Sequence, residues 1–100
     1  MAITDIVYNS VTDTQIVIQD NTINLASKTV SAVIQTLDGI TSTAVASARF
    51  TVTQTGIPSI FAWSPNQLSL TRGIYRMQFT YTDGASLIDK TSDWVKLLVR

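Results

Sequence analysis

Cysteine, histidine and glutamate are all missing from this sequence of 100 residues. Without cysteine and histidine, the chain can form no disulfide, no thiolate or imidazole metal site and no pairing of a nucleophile with a histidine base. Glutamate is a common surface residue of helices, so its absence argues against long helices. These absences exclude most kinds of enzyme active site, and we therefore expect a protein without catalytic activity.

Charged residues are also scarce, at 14% of the chain, and seven basic residues balance seven acidic ones. A neutral chain does not generate the positive field that attracts nucleic acid or an anionic membrane surface, so neither is an expected partner. The surfaces of soluble monomers usually carry more charge. We therefore expect part of the apolar surface to contact another subunit, as in a homo-oligomer. The alternative is a monomer that its abundant Ser, Thr, Asn and Gln side chains keep hydrated.

No apolar run approaches the roughly 20 residues that a membrane-spanning helix needs. The first residues, Met1–Asp5, contain no basic segment followed by an apolar one, so we expect neither a signal peptide nor a transit peptide. The expected site of synthesis is the cytoplasm, which argues against an exported adhesin or pilus module. Hydrophobic residues make up 45% of the chain, which is enough for one folded domain over residues 1–100.

The abundant residues Val, Ile and Thr have branched side chains that favour strands over helices. Residues 74–82 alternate most regularly, and the side chains expected to face the core are Tyr75, Met77, Phe79 and Tyr81. Residues 46–53 alternate in the same way, with Ala48, Phe50 and Val52 expected to face inward. Further strands are predicted over residues 3–8, 15–19, 30–35, 59–63 and 94–99, which gives about seven in total.

The segments between these strands contain turn-forming pairs such as Asp38-Gly39. The sequence Ser64-Pro65-Asn66-Gln67 has the residues of a helix capping box, so a short helical turn is predicted near residues 65–69. Tyr75 follows Gly73 at the start of the most regular strand, as in the tyrosine corner of immunoglobulin-like sandwiches. The sequence therefore predicts an all-β fold, an immunoglobulin-like β-sandwich of about seven antiparallel strands.

Acidic side chains come from aspartate alone, and most of the seven lie in or beside a predicted turn. There the short carboxylate bonds to nearby backbone N–H groups, so a structural role is the favoured interpretation. The alternative is a Ca²⁺ site formed by Asp83, Asp89 and Asp93, since Ca²⁺ binds oxygen ligands. Serine hydroxyls lack a histidine base, and no Ser-x-x-Lys motif is present. No catalytic, cofactor-binding or metal-binding residue is therefore assigned.

The last predicted strand and the first supply the candidate contact residues. Trp63 shares a face with Phe61 and is expected to pack in the core. Trp94 lies on the opposite face of its strand from the expected core residues, which are Val95, Leu97 and Val99. An exposed tryptophan can anchor a protein partner or stack on a sugar ring. The candidate contact residues are Ile3, Ile6, Tyr8, Trp94, Lys96 and Arg100. On the strand predicted over residues 74–82, the outward side chains Arg76, Gln78 and Thr80 form a stripe that is expected to be solvated.

A recognisable pattern runs through the second half of the chain. It reads Gly56-Ile-Pro-Ser-Ile-Phe-Ala-Trp63, then Leu68-x-Leu70-x-x-Gly73-x-Tyr75, then Phe79-x-Tyr81-x-Asp83-Gly84 and a final apolar strand. This pattern resembles small immunoglobulin-like domains in structural proteins of tailed bacteriophages, such as the N-terminal domain of the baseplate upper protein family. The first half of the chain is similar in outline, so the resemblance covers most of the sequence.

The resemblance implies a structural component of the virion, made in the host cytoplasm, that binds other virion structural proteins. The sequence lacks the long C-terminal region of the baseplate upper proteins. The expected roles are therefore a capsid decoration protein, the base of a head fibre, or a tail or baseplate adaptor. The resemblance implies no enzyme activity and transfers no site residues. Independently of it, the two tryptophans leave a carbohydrate-binding module as the alternative function.

Overall fold

Nine strands and one 3-10 turn, Ser47–Arg49, make up the regular structure of the described residues. The computed structural model of the chain describes residues 5–83, 88–92 and 94–100. The strands are β1 (Ile6–Tyr8), β2 (Ile16–Asp20), β3 (Thr29–Thr36), β4 (Ser42–Val45), β5 (Phe50–Gln54), β6 (Ser59–Trp63), β7 (Gly73–Thr82), β8 (Ile88–Thr91) and β9 (Val95–Val99). The sequence predicted about seven strands. It missed β4 and β8, which are short and do not alternate clearly.

The strands form two sheets that pack face to face. The large sheet has six strands in the order β1-β9-β7-β3-β4, with β8 beside the second half of β7. The small sheet has three strands in the order β2-β6-β5. Among the described pairs, β1 and β9 run parallel and the others run antiparallel. The predicted β-sandwich is confirmed, with one parallel pair in place of the wholly antiparallel arrangement expected.

Aromatic side chains from both sheets fill the centre of the sandwich. Phe61 of the small sheet and Phe79 of the large sheet are fully buried, with ring centroids 5.3 Å apart in an edge-to-face arrangement. Trp63 is also 0% exposed, as predicted for a core residue. The four core-facing residues predicted on β7 are all buried, at 9% exposure or less. The alternation of that strand therefore fixes which face of the large sheet meets the small one.

Tyr75 forms the predicted tyrosine corner. Its hydroxyl donates a hydrogen bond to the backbone carbonyl of Thr71 at 2.8 Å. The Thr71 hydroxyl lies 2.9 Å from the Tyr75 hydroxyl oxygen. A buried phenol that bonds four residues back along the chain holds the crossover segment against the start of β7. This contact fixes the path of the chain as it enters the large sheet.

A buried tyrosine–aspartate pair joins the two sheets. Asp20, at the end of β2, is 1% exposed and accepts a hydrogen bond of 2.5 Å from the Tyr81 hydroxyl of β7. The backbone N–H of Thr22 donates to the same carboxylate at 2.8 Å. Burial, followed by the neighbouring Asp20 carboxylate, raises the pKa of Tyr81. The sequence placed Tyr81 in the core correctly but did not predict that Asp20 would be buried with it.

A second pair, Tyr8 and Asp13, connects β1 to the loop after β6. Tyr8 donates to Asp13 Oδ1 at 2.7 Å, and the backbone N–H of Gln67 donates to Asp13 Oδ2 at 2.8 Å. The N–H of Leu68 donates to the Tyr8 hydroxyl at 3.2 Å. Burial, and then the hydrogen bond to Asp13, raise the pKa of Tyr8. The loop after β6 is therefore held by hydrogen bonds to Tyr8 and Asp13, which lie more than 50 residues earlier in the chain.

The helical turn predicted near residues 65–69 is wrong. Asn66 and Gln67 have φ angles of 51° and 62°, in the left-handed region, and consecutive residues there cannot continue a right-handed turn. The Gln67 N–H is bonded to Asp13 rather than to a Ser64 cap. The long-range contacts of this loop therefore outweigh the local capping pattern.

The strand predicted over residues 46–53 begins later than expected. Residues 47–49 form the 3-10 turn, so Ala48 is exposed instead of facing the core. Strand β5 starts at Phe50, which pairs with Trp63 at the end of β6. Phe50 and Val52 pack against the core as predicted. One further backbone bond, from the Ser64 N–H to the Arg49 carbonyl at 2.8 Å, joins the two segments just outside the strands.

Candidate interaction surface

Three apolar residues, two of them exposed and one half-buried, form a row across the outer face of the large sheet, the face that points away from the small sheet. Leu98 of β9 lies in register with Val7 of β1 on one side and with Ile74 of β7 on the other. Val7 is 47% exposed and Ile74 is 48% exposed, and Leu98 is half-buried. The neighbours of each residue along its strand face inward, so the core does not use this apolar row.

Arg76 lies at the centre of the same face, one row further along β7. Its Nε and Nη2 donate to Gln35 Oε1 at 3.1 and 2.6 Å. Its guanidinium carbon lies 4.3 Å from the centroid of the Trp94 ring, a cation–π contact. The β3–β4 turn approaches from a third side, because a Cβ at Gly39, whose φ is 76°, would lie 3.3 Å from Nη2. The guanidinium is therefore held in one orientation.

Trp94 lies on the outer face because it continues the alternation of β9 by one residue toward the N-terminus. Val95, the first residue of β9, is 7% exposed and faces the core, whereas Lys96 is exposed. Shortly before β9, the Ser92 hydroxyl accepts from the backbone N–H of Phe79 at 2.9 Å, which anchors this part of the chain beside β7.

The structure confirms the predicted exposure of the outward side chains at the last strand. Trp94 is 39% exposed, Lys96 and Arg100 are exposed, and the three core-facing residues Val95, Leu97 and Val99 are buried. Lys96 lies in register with Arg76. Arg100 lies beyond the end of β9, where its N–H donates to the Tyr8 carbonyl at 2.9 Å. Trp94, Lys96 and Arg76 thus lie together, whereas Arg100 lies at the other end of the strand from Trp94.

The predicted contact residues of the first strand require correction. Ile6 is 4% exposed and Tyr8 is 1% exposed, so both belong to the core and are not available to a partner. Ile3 lies outside the described residues. Strand β1 is an edge of the large sheet, as the prediction assumed, but its outward side chain is Val7. The error is one residue in register, which exchanges the two faces of a strand.

Sequence reasoning missed the apolar row and the central position of Arg76. Arg76 was assigned to a solvated stripe, and Ile74 was treated as the first residue of a core strand. The available signal was an apolar residue at the outward position of an alternating strand, as at Val7 and Ile74. Trp63 is fully buried and is therefore not available for stacking on a ligand.

Asp20 and Asp38 bond nearby backbone N–H groups, as the sequence predicted, whereas Asp13 bonds Gln67 from a distant part of the chain. Asp38 accepts from the Thr36 hydroxyl and from the N–H of Ile40 at 2.9 Å, and these two hydrogen bonds lower its pKa. The residues that the structure describes contain no group of three acidic side chains placed to hold a metal ion. The Ca²⁺ hypothesis also involves Asp89 and Asp93, and these side chains lie outside the described part of the chain.

Among the residues that the structure describes, no helix is long and apolar enough to cross a membrane.

Comparison with known proteins identifies a fold. No protein-family model and no curated protein matches the sequence. Among solved structures, the chain is similar to the crystal structure of red sea bream transglutaminase, with a TM-score of 0.60 and 14% sequence identity. The match covers 96% of this chain and 15% of that chain. At this identity the likeness shows the immunoglobulin-like β-sandwich that the sequence predicted, and it carries no information on catalysis.

Proposed function

We propose that this chain is a non-enzymatic structural subunit of a bacteriophage virion, which binds other virion subunits, including further copies of itself, through the outer face of its large sheet. The observation that carries the proposal is that the outer face holds the apolar row of Val7, Leu98 and Ile74 and, on the far side of Arg76, the partly exposed ring of Trp94. Contiguous exposed apolar surface is unusual on soluble monomers and is typical of a protein contact.

The composition supports the same conclusion. With 14% charged residues and no net charge, the chain has little electrostatic repulsion to keep its copies apart. Aromatic and arginine side chains are the usual anchors of protein interfaces, and here Arg76 lies next to the apolar row with Trp94 on its other side. The resemblance of the sequence to phage structural domains supplies the setting: a capsid decoration protein, a head-fibre base or a tail or baseplate adaptor, located in the virion.

Light scattering over a wide concentration range tests the contact. The wild-type chain is expected to increase in molar mass with concentration, and Ile74→Thr is expected to remain monomeric. Val17→Thr is the matched control, because Val17 is 70% exposed on the small sheet. A wild-type chain that stays monomeric at millimolar concentration, or an Ile74→Thr chain that associates like the wild type, contradicts the proposed contact.

The virion location has its own test. Particles purified from the source that encodes this chain are expected to contain it in a reproducible ratio to the major structural proteins, as measured by quantitative mass spectrometry. A chain that stays in the soluble fraction and is missing from the particles contradicts a role in the virion.

Carbohydrate binding is the second candidate, because Trp94 is 39% exposed and sugar rings stack on aromatic faces. The guanidinium of Arg76 already occupies one face of the Trp94 ring, which leaves the other for a sugar. Titration of glycans against tryptophan fluorescence tests this function. If the chain binds carbohydrate, some glycan must cause a saturable fluorescence change, and Trp94→Ala must abolish that change. If no polysaccharide causes such a change, carbohydrate binding is excluded as a function.

A further inference from the structure

We infer that Arg76 binds a carboxylate of the partner polypeptide, at a position flanked by apolar side chains of that partner. The inference rests on the proposed function in one respect, namely that the outer face of the large sheet contacts a protein. It adds the chemistry that the partner must present at the centre of this face.

The geometry of the guanidinium leaves one side open. Its Nε and one Nη2 hydrogen are directed to Gln35, and Trp94 covers one face of its plane. The Nη1 hydrogens and the second Nη2 hydrogen remain, and one from each nitrogen can form the end-on fork that donates to two carboxylate oxygens. Because Gln35, Trp94 and the Gly39 turn already hold the group, binding requires little further ordering of the side chain.

The charges around Arg76 favour an anion. Within residues 5–83, 88–92 and 94–100, the contacts of the guanidinium include no carboxylate. The residue in register with it on β9 is Lys96, a second cation. Like charges directly opposite each other on neighbouring strands are unfavourable, and an anion placed between them offsets this repulsion. Arg76 is also half-buried, so a protein that covers this face must supply a counter-charge.

The surroundings favour a polypeptide over a free anion. The apolar row and Arg76 occupy successive outward positions on β7, because Ile74 comes two residues before Arg76. On the other side lies the indole ring of Trp94. A ligand that satisfies both sets of contacts has a carboxylate with apolar groups beside it, as in a strand that contains leucine, an acidic residue and leucine.

Titration monitored by NMR tests the inference with a defined probe, the tripeptide acetyl-Leu-Glu-Leu-amide. The Arg76 Nε–H and Trp94 indole N–H signals are expected to shift in a saturable manner. Binding of acetyl-Leu-Gln-Leu-amide is expected to be about tenfold weaker, since it lacks the charge-assisted pair. Arg76→Gln is expected to remove the preference for glutamate. Arg72→Gln, which changes an exposed loop arginine, is the control for charge and is expected to retain it.

Three results would overturn the inference. One is equal binding of the glutamate and glutamine peptides, and another is an unchanged preference in Arg76→Gln. The third is inorganic phosphate that shifts the same signals with an affinity equal to that of the glutamate peptide, which would indicate a general anion site. Any of these results, together with self-association that is lost in Ile74→Thr, would overturn this inference and leave the proposed function standing.

Discussion

The two faces of the large sheet are built from alternate residues of the same strands, yet they differ in composition and in burial. On β7, Phe79 and Met77 are fully buried against the small sheet, whereas Ile74 is 48% exposed and Arg76 is half-buried on the outer face. The inner face contains the aromatic core that any stable sandwich of this kind requires. The outer face contains apolar and cationic groups that lie outside the core, and this contrast is the basis for proposing that it binds a partner.

The largest expected effect comes from the inner face. Phe79→Ala removes a ring that packs within 5.9 Å of Phe50 and 5.3 Å of Phe61, between centroids, and leaves a cavity at the centre of the core. We expect a loss of about 3–5 kcal/mol in the free energy of unfolding, measured by urea denaturation. A loss below about 1 kcal/mol would show that the two sheets do not depend on this contact.

The tyrosine–aspartate pair between the sheets gives the next effect. Tyr81→Phe removes the donor to the buried Asp20 carboxylate and is expected to cost about 1–3 kcal/mol at neutral pH. The raised pKa of Tyr81 means that the folded state holds this proton more tightly than the unfolded state. Stability from this group is therefore complete below the ordinary tyrosine pKa of about 10 and falls as the pH rises above it.

The pH dependence supplies the control for that pair. Wild-type stability is expected to decline in alkaline solution more steeply than that of Tyr81→Phe, as measured by denaturation at a series of pH values. Tyr8, whose pKa is also raised, keeps part of the decline in the variant. Parallel pH profiles for the two chains would contradict the assignment of the alkaline loss to Tyr81.

A smaller effect is expected at the tyrosine corner. Tyr75→Phe keeps the buried ring and removes the hydrogen bond to the Thr71 carbonyl. The expected loss is about 1 kcal/mol in the free energy of unfolding. Thr71→Val, which keeps the carbonyl and removes only the hydroxyl, is the matched control and should cost less. Equal losses in the two variants would mean that the backbone bond is not the main contribution.

The smallest effect on stability is expected on the outer face. Ile74→Thr keeps a β-branched side chain on β7 and should change the free energy of unfolding by less than about 0.5 kcal/mol. The same change is expected to abolish self-association. A loss of several kcal/mol would place Ile74 among the residues that the fold requires and would remove the contrast between the two faces.

The sequence predicted the fold class because strict alternation, as on β7, and the Tyr75 corner are local patterns with a single structural meaning. It did not predict the loop at Asn66 and Gln67, since the bonds that hold it come from Asp13, far away along the chain. Local capping residues there indicated a helical turn that long-range contacts overrule.

The candidate site was only partly predictable for a related reason. Trp94 and Lys96 were identified from the outward face of the last strand, and their exposure is confirmed. The contact of Trp94 with Arg76 depends on the pairing of β7 with β9, which no local pattern reveals. At β1, alternation alone did not show which of the two faces would be buried, so Ile6 and Tyr8 were assigned in place of Val7.

The most direct test of the account measures which surface becomes covered when copies of the chain meet. Methyl signals can be recorded with a soluble paramagnetic agent at low and at high protein concentration. The account predicts that the methyls of Val7, Ile74 and Leu98 become protected from the agent as concentration rises, while those of Val17 on the small sheet stay accessible. Protection of Val17 without protection of the apolar row, or no change at any methyl, would contradict it.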